Sequence, residues 1–182
     1  MAVLSLLHLF PLFLIPITSS AAFPPSSLVL SSCAHARYPS LCIRTLSPSA
    51  ARTPTALAVD AVSAAATSAQ NAHSFLRHFP SPPPPAVRDC VEQLSDSSDQ
   101  LARAAAEIRH LRQENSRWHL DNALTWASAA LTDDDTCLDA IRRLPASTHR
   151  SVSAHVSEAR RVTCNALYLV SRLADTLPHR RR

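Results

Sequence analysis

A chain of 182 residues without a single glycine has few folds open to it. Glycine supplies the positive-φ positions of tight hairpins and lets a loop backbone close around a phosphate. Its absence excludes the dinucleotide fingerprint, the phosphate-binding loop, the glycine-flanked nucleophile elbow and the EF-hand, which all require it. Helices do not, and fourteen prolines are present to start and stop them. Hydrophobic residues make up 46% of the chain and aromatics only 5%, so alanine does much of the filling. Small side chains of that kind suit close helix–helix approach, and the expected fold class is all-α.

Residues 1–22 read as a signal peptide. Leu4, Leu6, Leu7, Leu9, Phe10, Leu12, Phe13, Leu14 and Ile15 form its apolar run, and Ser20-Ala21-Ala22 supplies the small residues of a cleavage site. The run is shorter than the ~20 residues that span a bilayer. The mature chain is therefore expected to be exported, soluble and free of the membrane. In an oxidising compartment cysteines pair, and five are present: Cys33, Cys42, Cys90, Cys137 and Cys164.

Beyond the leader, Ser26–His35 and Ser40–Leu46 are predicted as two short helices around a Tyr38-Pro39 turn. That turn can bring Cys33 and Cys42 together as a disulfide. The alternative is a zinc site of Cys33, His35 and Cys42, which has no convincing fourth ligand. Thr53-Pro54 is a helix start, a capping hydroxyl followed by proline. The helix it opens carries Leu57, Ala61, Ala65, Ala69, Ala72, Leu76 and Phe79 at helical spacing and ends against Pro80, before the stiff connector Pro82–Pro85.

The next helix has the clearest pattern, with Val87, Cys90, Leu94, Ser97, Leu101, Ala104, Ile108 and Leu111 at alternating steps of three and four. This is the heptad seam of an antiparallel bundle. Glu92, Asp96, Asp99, Arg103, Glu107 and Arg109 occupy its other face. A third long helix is predicted from Ser116 to Leu131, interrupted by Thr132-Asp133-Asp134-Asp135, whose carboxylates suit the positive N-terminus of a short following turn, Thr136–Leu144. The last helix is predicted from about Ser147 to Thr176, with Val152, Val156, Ala159, Val162, Ala166, Leu169, Leu173 and Leu177 along one side. The expected organisation is a signal peptide at 1–22, an N-terminal helical hairpin at 23–52, an antiparallel up-down four-helix bundle at 53–178 and a basic tail at 179–182. A Cys90–Cys137 bridge would tie two long helices together, leaving Cys164 beside the last apolar stripe as a buried, inert thiol.

All 18 basic residues are arginine, and the net charge is +4. A modest positive charge favours acidic partners such as an anionic polysaccharide or an acidic protein surface. Arginines interleaved with aromatics, the mark of a nucleic-acid binder, do not appear as a sequence stripe. No spacing assembles a nucleophile, a base and an oxyanion donor. There is no His-Glu-x-x-His motif, and the two Glu-x-x-His steps of a di-metal bundle are lacking. No enzymatic activity, metal or cofactor is expected.

Four local patterns then resemble the plant invertase and pectin methylesterase inhibitor family: Cys33…Tyr38-Pro39-Ser40-Leu41-Cys42; Val87-Arg88-Asp89-Cys90-Val91-Glu92; Trp126-Ala127-Ser128-Ala129-Ala130-Leu131-Thr132 followed by Thr136-Cys137-Leu138-Asp139; and Cys164-Asn165-Ala166-Leu167. The resemblance runs from about Cys33 to Leu177. It implies disulfides Cys33–Cys42 and Cys90–Cys137 with Cys164 a free thiol, and secretion to the plant cell wall (the apoplast). It also implies one-to-one binding that blocks the active-site cleft of a pectin methylesterase or, alternatively, an acid invertase. The Ser-Ala-Ala-Leu-Thr stretch looks like the methylesterase-inhibitor branch, and the Pro-Lys-Phe motif of invertase inhibitors is missing. Glu92-Gln93-Leu94 departs from the family's Glu-x-Tyr. Carried over by position, Glu92, Asp96, Thr136 and Asp139 are the expected partner-binding residues.

Overall fold

The computed structural model describes residues 24–112 and 114–176; the signal peptide expected at 1–22 and the basic tail at 179–182 lie outside them. The helices run in the order α1 (Ser27–Cys33), α2 (Pro39–Leu46), α3 (Pro54–Arg77), α4 (Pro85–Arg109), α5 (Ser116–Ala140) and α6 (Ala146–Asp175), with a 3-10 turn at Ile141–Arg143 between the last two. Proline sets most of these starts. Pro39, Pro54 and Pro85 stand in the first turns of α2, α3 and α4, and Pro145 precedes α6. Thr53 completes the start of α3 by accepting the Ala56 N–H at 3.2 Å. The helix ends manage without glycine: no described residue has positive φ, and His78 and His110 close α3 and α4 at φ near −90°.

The four long helices pack as a ring, each against the next (α3 on α4, α4 on α5, α5 on α6, and α6 back on α3), with α1 and α2 as a hairpin laid on α3 and α6. Short connections between neighbours make this the antiparallel up-down arrangement. The predicted seams are the buried faces. Val87, Cys90, Leu94, Ser97, Leu101, Ala104 and Ile108 of α4 are all buried, as are Leu57, Ala61, Ala65, Ala69, Ala72 and Leu76 of α3 and the stripe of α6 from Val152 to Leu173; Phe79 and Leu111, expected on the same seams, are half-buried just past the ends of α3 and α4, and Leu177 lies outside the described residues. Leu94, where the family pattern has tyrosine, is fully buried.

The predicted interruption at Thr132–Asp135 does not occur: α5 is continuous to Ala140. Leu120, Ala123, Ala127, Ala130, Asp134 and Cys137 form an unbroken seam in which Asp134 occupies a core position. A helix-propensity cost of well under 1 kcal/mol per aspartate is outweighed by what flanks it, the buried Ala130 and the bridged Cys137. Thr136 is accordingly mid-helix and does not begin a new turn.

Asp134 also divides the interior. One apolar cluster gathers the hairpin with Leu57 to Ala69, Leu101 to Ile108, Leu120 to Ala130 and Val162 to Leu173. The other holds Ala72, Leu76, Val87, Cys90, Leu94, Cys137, Ile141, Val152, Val156 and Ala159. Between them lie the buried polar residues Ser97, Asp134 and Thr163, one each from α4, α5 and α6. Ser97 Oγ donates to Asp134 Oδ1 at 2.9 Å.

Candidate functional site

The Cys90–Cys137 disulfide (Cα–Cα 4.6 Å) joins α4 to α5 within the second apolar cluster. Cys33–Cys42 (Cα–Cα 5.6 Å) closes the hairpin, and no group of His, Cys, Asp or Glu that could hold a metal forms among the described residues. Cys164 is a free thiol, partly exposed where a buried one was expected.

Around the first bridge, the four expected contact residues are all exposed. Glu92 and Asp96 stand one turn apart on the outer face of α4. Asp96 leans over the α4–α5 seam, where burial first and then its carboxylate raise the pKa of Asp133. Thr136 lies one turn beyond Asp133 on the same side of α5, its hydroxyl donating to the Thr132 carbonyl at 2.8 Å. Asp139 turns the other way. It pairs with Arg142 at 3.2 Å and lines a cleft with Tyr38, Asp135, Arg160 and Arg161 between α5, α6 and the hairpin. Asp96 and Thr136 thus lie toward the α4–α5 seam, Glu92 stands one turn from Asp96 on the outer face of α4, and Asp139 lines the adjoining cleft.

That cleft contains residues that sequence reasoning passed over. Arg160 forms a two-pronged ion pair with Asp135 and also donates to Tyr38 Oη at 3.4 Å. Hydrogen bonding to Asp135 raises the guanidinium pKa further. Asn165, buried on α6, clasps the hairpin through its amide: Oδ1 accepts the Tyr38 N–H at 3.1 Å and Nδ2 donates to the Tyr38 carbonyl at 3.0 Å. Tyr38 and Asn165 each sit in a pattern singled out above, but no local spacing links residues 127 apart.

The one Glu-x-x-His step in the chain, Glu107…His110, does not form a metal pair. Glu107 instead accepts from His119 Nδ1 at 2.5 Å and from Asn122 Nδ2 at 3.4 Å, and both partners come from α5.

Fold and polar face together define a disulfide-braced helical bundle that presents a preorganised surface. The model of one family, plant invertase/pectin methylesterase inhibitor, matches residues 27–169. Pectinesterase inhibitor 3 of Arabidopsis thaliana is 38% identical, over 91% of this chain and 93% of its own. Pectinesterase inhibitor 9 of the same plant is 33% identical over 86% and 87%. A crystallised mutant pectin methylesterase inhibitor from Arabidopsis shares the fold with a TM-score of 0.65 at 24% identity, over 84% of this chain and 99% of that one. The chain belongs to the plant invertase/pectin methylesterase inhibitor family.

Proposed function

We propose that this chain is a secreted inhibitor that binds a plant pectin methylesterase one-to-one in the apoplast and occludes its active-site cleft, with no chemistry of its own. The observation that carries this reading is the 38% identity, over nearly the whole length of both chains, to a protein named pectinesterase inhibitor. The methylesterase is favoured over invertase because further relatives carry the same name.

Glu92, Asp96, Thr136 and Asp139 are the proposed contact residues. Two helices locked by a disulfide hold these groups in place before binding, which reduces the ordering cost of association. The test is an inhibition titration of pectin methylesterase by the oxidised mature protein, with acid invertase in parallel. Glu92→Ala and Asp139→Ala are each expected to raise the half-inhibitory concentration about tenfold, the equivalent of ~1.4 kcal/mol. Full potency in both variants with helical content intact would remove this face from the interface. Inhibition of invertase alone would overturn the choice of target.

A further inference from the structure

The connector between α3 and α4 holds more proline than its two helices need. Pro80 follows the end of α3, and Pro85 stands in the first turn of α4; one proline at each place is enough to stop the first helix and start the second. Pro82, Pro83 and Pro84 lie between them. The Pro84 carbonyl accepts the Val87 and Arg88 N–H groups at 2.9 and 3.2 Å, a task for main chain that calls for no particular ring. With Pro85 these residues form the only run of three or more prolines in the chain.

Downstream of the cis Ser81-Pro82 peptide, the run reaches α4 through Pro84 at φ −55° and ψ 147°, the polyproline II conformation. Proline has no N–H, and the carbonyls of Pro80, Ser81, Pro82 and Pro83 accept no backbone hydrogen bond among the described residues. Ser81 and Pro82 are exposed, and Pro83 and Pro84 are half-buried. An enzyme that reads an extended strand by its carbonyls therefore breaks no internal hydrogen bond here and has little chain entropy to remove. Pro39 and Pro54, by contrast, are built into helix starts.

We propose that Pro82, Pro83 and Pro84 are a modification site for a prolyl 4-hydroxylase of the secretory route, which uses dioxygen and a 2-oxo acid. One oxygen atom enters a ring Cγ–H bond and leaves Cγ–O–H. The other goes to the 2-oxo acid, which loses carbon dioxide and becomes a carboxylic acid one carbon shorter. Proline and the 2-oxo acid each give up two electrons, and dioxygen takes up all four. The inference rests on the proposed export of the chain, and it is independent of which enzyme the chain inhibits.

Arg77 and Arg88 bracket the connector, so trypsin releases residues 78–88 as one peptide. The full chain is expressed in plant cells and recovered from the medium. Hydrogen fluoride removes any sugar from the new hydroxyls, and the peptide is sequenced by tandem mass spectrometry. Most molecules should carry extra oxygen on Pro82, Pro83 or Pro84, with the exposed, solitary Pro80 of the same peptide unmodified. Pro83→Ala should cut oxygen uptake at Pro82 and Pro84 about tenfold, because it breaks the continuous polyproline strand. Unmodified 82–84 in exported protein would overturn the proposal. So would equal modification of Pro80, or full modification of the remaining prolines in Pro83→Ala. In a second arm the purified, oxidised protein is incubated with plant microsomes, oxygen and 2-oxoglutarate. Retention of the expressed chain in the cytosol would sink the export reading and leave this arm to decide: oxygen gained at 82–84 supports the site, and none overturns it.

Discussion

Asp134 is the residue whose chemistry departs furthest from its ordinary form. Burial is the largest influence on its carboxyl and lifts the pKa from 3.8 to about 7, against the Ser97 hydrogen bond that favours the charged form. The Thr163 hydroxyl has a single proton and gives it to the Ala159 carbonyl at 3.0 Å, which leaves Asp134 Oδ2 without a donor. A neutral carboxyl resolves this, because its own O–H can point to Thr163 Oγ1 while Oδ1 accepts from Ser97. The folded state therefore holds this proton up to about pH 7, whereas the unfolded chain releases it near pH 4. Between those limits the folded state binds more protons, so stability falls as pH rises and levels off above the folded pKa. The contribution is of the order of 4 kcal/mol, and the raised pKa of Asp133 acts in the same direction. Urea unfolding midpoints are expected to be higher at pH 5 than at pH 8, and Asp134→Asn should flatten the dependence in that window. An equally steep slope in the variant would show that Asp134 is not the titrating group.

At the scale of elements, each disulfide acts on a different part of the fold. By chain entropy the Cys90–Cys137 bridge, with a sequence separation of 47, contributes about 4 kcal/mol, and Cys33–Cys42, with a separation of 9, between 2 and 3. The Cys90→Ser/Cys137→Ser double variant should lower the urea midpoint more than Cys33→Ser/Cys42→Ser does. The hairpin has a second tie in Asn165. Asn165→Ala leaves the Tyr38 N–H without its partner, while the Tyr38 carbonyl keeps the Cys42 N–H at 2.9 Å; the cost is about 1–3 kcal/mol, and the change should speed amide exchange in α1 and α2 while α4 and α5 keep their protection. Unchanged hairpin exchange would mean the disulfide alone holds it. The seams of α3, α4 and α6 were legible in the sequence because uncharged, mostly apolar residues recur at helical spacing along them, with Ser97 of α4 small enough not to break the pattern. Those of α5 were not, because a charged letter at a core position reads as a break until Ser97 and Thr163 are seen across from it. The contact candidates were legible only by resemblance. Arg160 and Asn165 escaped notice because their partners, Asp135 and Tyr38, come from elsewhere in the chain.

At the scale of the molecule, an interior in which alanine is the commonest buried residue lets four helices approach closely with few aromatics. Glu92, Asp96 and Thr136 lie toward the bridged end of the α4–α5 pair, while Trp118 stands in the first turn of α5 at the other end. Because Trp118 is more than four turns of α5 from Thr136, Trp118→Ala should leave the half-inhibitory concentration for pectin methylesterase within about twofold of the parent. A tenfold loss of inhibition would merge them into one contact surface. The polar layer of Ser97, Asp134 and Thr163 separates an apolar half that holds the hairpin from one that holds the Cys90–Cys137 bridge and the contact candidates. Both sulfurs of that bridge are fully buried, so a reductant meets them only after this half has opened, and the cross-link is shielded by the same packing that it reinforces.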